Sequence, residues 1–101
     1  MSKIAIIAKF TLKSGKRSEL VAGMAPMMKH VQSEVGTLSY VVSEDQVDPD
    51  VMWVSEVYAD QEAVDAHVGS DVMKALGGLF GDLMAGPPEL NFLTPVGGKG
   101  F

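Results

Sequence analysis

Three features of the sequence predict an α+β fold in which a four-stranded antiparallel sheet carries its helices on one face. Strand-like alternation and helix-like spacing follow one another in the order strand, helix, strand, strand, helix, strand. The two middle strands are joined by a short Asp/Pro turn, which makes them a hairpin. Each outer strand is joined to that hairpin through a helical segment, which gives two βαβ-like halves and a ferredoxin-like βαββαβ arrangement.

The first strand runs from Lys3 to Leu12, with Ile4, Ile6, Ala8, Phe10 and Leu12 on one face and Lys3, Ala5, Ile7, Lys9 and Thr11 on the other. Ser14-Gly15 ends it. Between Lys16 and Glu34 the residues Leu20, Met24, Met27, Met28, Val31 and Val35 recur at helical spacing, which predicts one amphipathic helix. Pro26 lies inside it and predicts a kink, and Gly36 is expected to stop it. In Thr37 to Glu44 the residues Leu38, Tyr40 and Val42 share a face, with Ser39, Val41 and Ser43 opposite. The turn Asp45 to Asp50 returns the chain into a strand from Val51 to Tyr58. Asp60 is a good N-cap for a short helix, and Gly69-Ser70-Asp71 closes that helix and caps the next. The second helix carries Val72, Leu76, Leu79, Phe80 and Leu83 as its stripe, weakened by Gly77, Gly78 and Gly81 at about 1 kcal/mol each relative to alanine. Gly86-Pro87-Pro88 ends it, and Glu89 to Thr94 supplies the last strand. The expected organisation is one domain over residues 1–96 followed by a flexible tail over 97–101.

Composition bounds the function. At 101 residues, 47% hydrophobic and 21% charged, the chain is expected to build a single core without crosslinks. A net charge of -5 disfavours nucleic acid as a partner, which normally requires a basic footprint. No apolar run is long enough to cross a bilayer, and Met1-Ser2-Lys3 leads into a strand, so a cytoplasmic protein without a membrane partner is expected. The absence of cysteine excludes disulfides, thiolate nucleophiles and Cys-based metal sites. The two histidines, far apart in sequence, do not form a ligand cluster, so no metal is expected. Gly77-Gly78 lies inside a helical pattern and lacks the strand that precedes a phosphate loop.

The strands are apolar on both faces. Ala5, Ile7, Val41, Trp53 and Val57 cannot lie under the helices if Ile4, Ile6, Tyr40 and Val54 do, so the outer face needs a cover. A second copy of the chain is the simplest one, and a homodimer is expected.

Three segments carry a family resemblance. Phe10-Thr11-Leu12-Lys13-Ser14-Gly15-Lys16, Glu34-Val35-Gly36-Thr37-Leu38-Ser39-Tyr40, and Glu56-Val57-Tyr58 followed by Glu62-Ala63-Val64-Asp65-Ala66-His67 resemble the antibiotic biosynthesis monooxygenase family. Val35 stands where this family usually places a proline. The resemblance implies a dimeric α/β barrel and an oxidoreductase acting on a small aromatic, a quinol or polyketide-like phenol, with O2 and no cofactor. Such chemistry requires a base, a dry pocket and a fixed pose, because a deprotonated quinol can itself reduce oxygen. Two other readings stand beside it: a non-oxidative isomerase or lyase of a small signalling metabolite, and a ligand-binding dimer without catalysis whose cleft is filled by Met24, Met28, Leu76 and Phe80. Haem-degrading relatives carry an asparagine, a tryptophan and a proximal histidine where this chain has Ala8, His67 and Gly77, so that activity is not implied.

His67 is the candidate catalytic base: it follows Val64 by three residues and Ala63 by four, on the semi-apolar side of its helix, and its ordinary pKa suits proton transfer. The alternative is a helix-terminal histidine bonded to the last carbonyls. Tyr40, Trp53, Glu56 and Tyr58 are the candidate substrate-binding residues. The aromatic ones serve equally well as core or interface anchors. Glu56 shares a face with Met52, Val54 and Tyr58 and must be partnered or at an edge; orienting His67 is one role open to it. His30 falls off the apolar stripe and is expected in solvent. Met24, Met27 and Met28 read as core.

Overall fold

The computed structural model describes residues 2–101; Met1, where the expected domain begins, lies outside them. Strands β1 (Ile4–Thr11), β2 (Thr37–Glu44), β3 (Val51–Tyr58) and β4 (Glu89–Leu93) form one open sheet in the order β2-β3-β1-β4, every pair antiparallel. With the helices between them this is the ferredoxin-like α+β fold. Register defines the helix-covered face as a set of cross-strand rows. One row is Tyr40, Glu56, Ile6 and Phe92; the next is Val42, Val54, Ala8 and Leu90. Period-two alternation makes every second residue of these strands a floor for whatever the helices leave open.

The single helix expected over Lys16 to Glu34 is divided into α1 (Arg17–Gly23), α2 (Ala25–His30) and a 3-10 turn (Val31–Ser33). Pro26 occupies the first turn of α2, where its missing N–H leaves no bond unmade, and the break falls at Met24. The Met24 N–H still reaches the Leu20 carbonyl at 3.0 Å, and the Met28 N–H reaches Met24 at 2.9 Å, so the chain bends without unwinding. Leu20, Met24, Met27 and Val31 are buried as their spacing predicts, whereas Met28 lies at the rim and Val35, beyond the last turn, is exposed.

Two further departures have local causes. A register shift between Thr37 and Ser39 bulges β2, leaving Leu38 unpaired and half exposed instead of facing the core with Tyr40. Gly36 does not end a helix through a left-handed φ. It is the point of closest approach to α3 (Gln61–Val68), where a Cβ would collide with that of Ala63. The Ala59 N–H donates to the Gly36 carbonyl at 2.9 Å, fixing that approach.

α3 begins as expected, with Asp60 Oδ1 accepting from the Ala63 N–H at 2.9 Å. Ser70 links it to α4 (Asp71–Leu83): its hydroxyl donates to the His67 carbonyl at 2.8 Å and accepts from the Met73 N–H at 3.2 Å. The main core joins Phe10, Leu12, Met52 and Val54 of the sheet to Leu20, Met24, Met27, Leu76 and Leu83 of the helices. A smaller cluster of Ile6, Tyr58 and Val64 holds α3. On the opposite face Ile7, Val41 and Leu93 remain exposed. Among the described residues no helix is long and apolar enough to cross a membrane.

Candidate active site

α3 and α4 do not close fully on the sheet. Between them lies a cavity of about 240 Å³. Its floor is Ile6, Ala8, Phe10, Tyr40, Val54 and Glu56; His67, Val68, Met73 and Phe80 cover it, and Pro88, Leu90 and Phe92 rim it at β4. The wall is apolar apart from Tyr40, Glu56 and His67. An apolar cleft with a few convergent polar groups is the usual form of a small-molecule site. Phe80 stacks on Phe10, with ring centroids 5.2 Å apart, and so lines the space without filling it. The cleft-filling arrangement is thus not adopted: Met24 and Leu76 belong to the core and Met28 to the surface.

His67 lies in the last turn of α3 and is 2% exposed. Its ring does not bond the final carbonyls of the helix. Nδ1 faces Glu34 Oε1 at 2.9 Å. The same oxygen accepts from the Thr37 hydroxyl at 2.9 Å, and Oε2 lies 3.1 Å from Nε2 of His30. Burial pushes the Glu34 pKa upward, but the hydrogen bonds from His67 and Thr37, with the charges of His67 and His30, outweigh it and hold the carboxyl below the usual glutamate range. An ionised carboxylate only accepts, so the facing nitrogens of both histidines donate to it. In the neutral ring this places the proton of His67 on Nδ1 and leaves a lone pair on Nε2.

That Nε2 is buried and has no hydrogen-bond partner. Glu56 Oε1 is 3.9 Å away, beyond hydrogen-bonding distance. The same Glu56 oxygen instead takes the Tyr58 hydroxyl, which lies behind it. Burial raises the Glu56 pKa; the Tyr58 hydrogen bond and the His67 charge act against that rise, and the Glu34 charge adds to it. Tyr40 is pushed well above its ordinary range by burial, then by the charges of Glu56 and Glu34. Tyr58 is raised likewise by burial and its bond to Glu56. Both therefore keep their O–H at neutral pH. Their rings flank the imidazole, each with a centroid 5.4 Å from it.

Of the sequence-selected residues, His67, Tyr40 and Glu56 meet on this cavity. Two do not line it. Tyr58 is fully buried in the row beyond Glu56 and meets the site from behind, through its bond to that carboxylate and its ring beside His67. Trp53, one residue out of phase with Val54 on β3, points to the other sheet face, where its indole N–H donates to Asp45 Oδ1 at 2.8 Å and Lys9 Nζ lies 5.6 Å from its ring. His30 is not free in solvent but half-buried against Glu34. Glu34 is the residue that sequence reasoning passed over. One signal was available: an acid just past a helix C-terminus opposes the helix dipole and so has no helix-stabilising reason to be there.

Residues 3–77 match the family described as antibiotic biosynthesis monooxygenase. The chain belongs to the antibiotic biosynthesis monooxygenase family. Solved structures agree. A Caulobacter crescentus protein that carries the family name superposes with a TM-score of 0.89 at 29% identity, covering 95% of this chain and 92% of its own. A Chloroflexus aurantiacus protein of the same name gives 0.82 at 31% identity, with 98% of each chain covered. A Mycobacterium tuberculosis protein gives 0.88 at 28% identity over 97% of this chain and 99% of its own. No curated protein matches the chain. The family match spans β1 through the first half of α4 and includes Glu34, Tyr40, Glu56 and His67, but stops short of the β4 residues that rim the cavity.

Proposed function

We propose that this antibiotic biosynthesis monooxygenase homologue oxidises a small phenol or quinol with molecular oxygen, using His67 as the base. One observation carries the reading: His67, which lines an apolar cavity, is a buried imidazole whose Nδ1 faces a carboxylate and whose Nε2 has no partner. A neutral ligand whose acidic O–H reaches that nitrogen satisfies the orphaned acceptor and is activated by it.

In this reading Nε2 takes the phenolic proton and Glu34 stabilises the resulting imidazolium through Nδ1–H. The phenolate is electron-rich enough to reduce O2, and a carbon–oxygen bond forms between them. The substrate gains one oxygen atom and loses two hydrogens, which leave with the second oxygen atom as water. The apolar wall keeps bulk water from the charged intermediates. The Tyr40 hydroxyl and the Glu56 carboxyl fix the ring's polar edge, while Phe80 and Val54 hold its faces. The same wall disfavours a sugar-like substrate, whose several hydroxyls would find three polar partners at most.

The outer sheet face, with Ile7, Val41 and Leu93 exposed and Trp53 partly so, supports a homodimer closed through that face. Oxygen uptake by flavin-free, metal-free protein with a panel of quinols and anthrones tests the activity. Turnover of at least one member is expected, and none across the panel would overturn it. Light scattering at micromolar concentration checks the dimer, which a monomeric mass would refute.

A further inference from the structure

We propose that the ligand of this site is a phenol or quinol bearing a hydrocarbon chain opposite its reactive hydroxyl, with the hydroxyl at His67 and the chain leaving over Leu90 and Phe92 of β4. This rests on the reading of His67 as the base for a phenolic substrate and adds which phenols the site takes.

The cavity is polar within and apolar at its mouth. Its polar groups lie at one end, over β2 and β3: Tyr40 and Glu56 are cross-strand partners, and His67 Nε2 stands 3.9 Å from the Glu56 carboxylate. None of these three residues is exposed. The exposed residues lining the cavity are Val68, Pro88, Leu90 and Phe92, and all four are apolar. Leu90 keeps 50% of its surface in water, Val68 58% and Phe92 63%, although each borders the cavity. A ligand that fits this order buries its polar group first and keeps an apolar part at the opening. A bare phenol has no such part and would leave the mouth in water.

Register gives the span. Glu56, Ile6 and Phe92 are successive partners across β3, β1 and β4. Neighbouring strands lie about 4.8 Å apart, so roughly 10 Å separates the Glu56 position from that of Phe92. A phenol ring anchored at His67 ends short of that rim, and a group attached opposite the hydroxyl is the one that continues toward it. The floor along this path is Ile6, with Ala8 and Leu90 in the adjacent row, and offers no polar side chain. Volume agrees: an apolar cavity of about 150 Å³ holds one benzene. The 240 Å³ found here leaves room for further carbons beside one ring.

The homodimer closed through the outer sheet face does not account for the apolar mouth. Leu90 and Phe92 pair with Ala8 and Ile6 on the helix-covered face, whereas Leu93 pairs with Ala5 on the other.

The test is the affinity of a homologous series, phenol, 4-ethylphenol, 4-butylphenol and 4-hexylphenol, measured by calorimetry without oxygen so that no turnover enters. Each added methylene should tighten binding about two- to fourfold. 2-Butylphenol, almost equally hydrophobic, carries its chain beside the hydroxyl and into the polar end, and should bind about tenfold more weakly than 4-butylphenol. Phe92→Ser should weaken 4-hexylphenol about tenfold and phenol far less, with mass and circular dichroism as in the parent. Leu90→Ser should act in the same direction. No binding across the series, affinity that ignores chain length, or equal binding of the two butyl isomers would overturn the proposal. So would a 4-hexylphenol affinity that survives both substitutions, and a changed mass in Phe92→Ser with that affinity retained would assign the rim to a subunit contact instead. Chain-length dependence without oxygen uptake would count against the oxidation alone, and oxygen uptake with flat affinities against the chain alone.

Discussion

The two ends of the helix layer meet the same sheet differently. Under α1 and α2 the side chains of Leu20, Met24 and Met27 are fully buried in one cluster with Met52, Leu12 and Phe10. Under α3 and the adjoining part of α4 the sheet and helices part. There buried His67 has the partly buried Glu34, Glu56 and Tyr40 and the buried Tyr58 around it. The dense end holds the main core and the open end the candidate site. One small residue contributes to the difference: Ala8 leaves room in the floor beside Phe10, which both lines the cavity and packs in the main core. At the open end His67 Nδ1 and Glu34 hydrogen-bond each other and Tyr58 bonds Glu56, while among the described residues His67 Nε2 is the buried side-chain polar atom left without a partner.

If this division holds, changes at the two ends separate activity from stability. His67→Ala is expected to give the largest effect, lowering oxygen-uptake turnover by roughly 10²–10⁴-fold while the protein remains folded by circular dichroism. Unchanged turnover would remove His67 from the chemistry. At the dense end, Leu20→Ala should cost about 2–5 kcal/mol in urea unfolding through the cavity it leaves, with turnover per folded molecule close to that of the parent. A proportionate loss of turnover would mean that the two ends are not independent.

Gly36→Ala tests the seam between them. The added Cβ must push α3 away from the β2 entrance, at about 1–3 kcal/mol, and it should lengthen the Glu34–His67 contact, seen as a shift of the His67 Nδ1–H resonance. The smallest effects are the pH dependences of the two carboxylates, which have opposite sign. Glu34 titrates lower folded than unfolded, so it stabilises the fold above the unfolded value of about 4.3, and that contribution is lost as pH falls through the lowered value. Glu56 titrates higher folded than unfolded, so its penalty is absent below about 4.3, grows as pH rises and is complete above the raised value. The urea midpoint of Glu56→Gln should therefore exceed that of the parent at neutral pH and converge with it near pH 4. A midpoint gap of constant size would show that the raised carboxyl is not the cause.

Much of this arrangement was legible in the chain itself. Alternation in β1 and β3 named the inner residues, and their phase alone separates Trp53 from Glu56. Pairing Trp53 with the site treated an aromatic as a ligand wall when its strand position assigned it to the other face. The bend near Pro26 was visible, though not that it would fall at Met24, because the proline settles into a first turn. Glu34 was hidden for another reason. Its partners His30, Thr37 and His67 come from three different elements, and no periodicity within one element reports a contact across 33 residues. The cavity was hidden too, since what an apolar stripe leaves unfilled depends on how closely two helices approach, here set by Gly36 and Ser70.

The central claim is that His67 holds its proton on Nδ1 and offers a bare Nε2 to a phenolic ligand. The 15N spectrum of the His67 ring tests this most directly. Nδ1 should resonate as a protonated nitrogen and Nε2 as an unprotonated one, with Nε2 moving selectively when a simple phenol is added. A proton on Nε2 in the free protein, or an Nε2 signal that saturating phenol leaves in place, would contradict it.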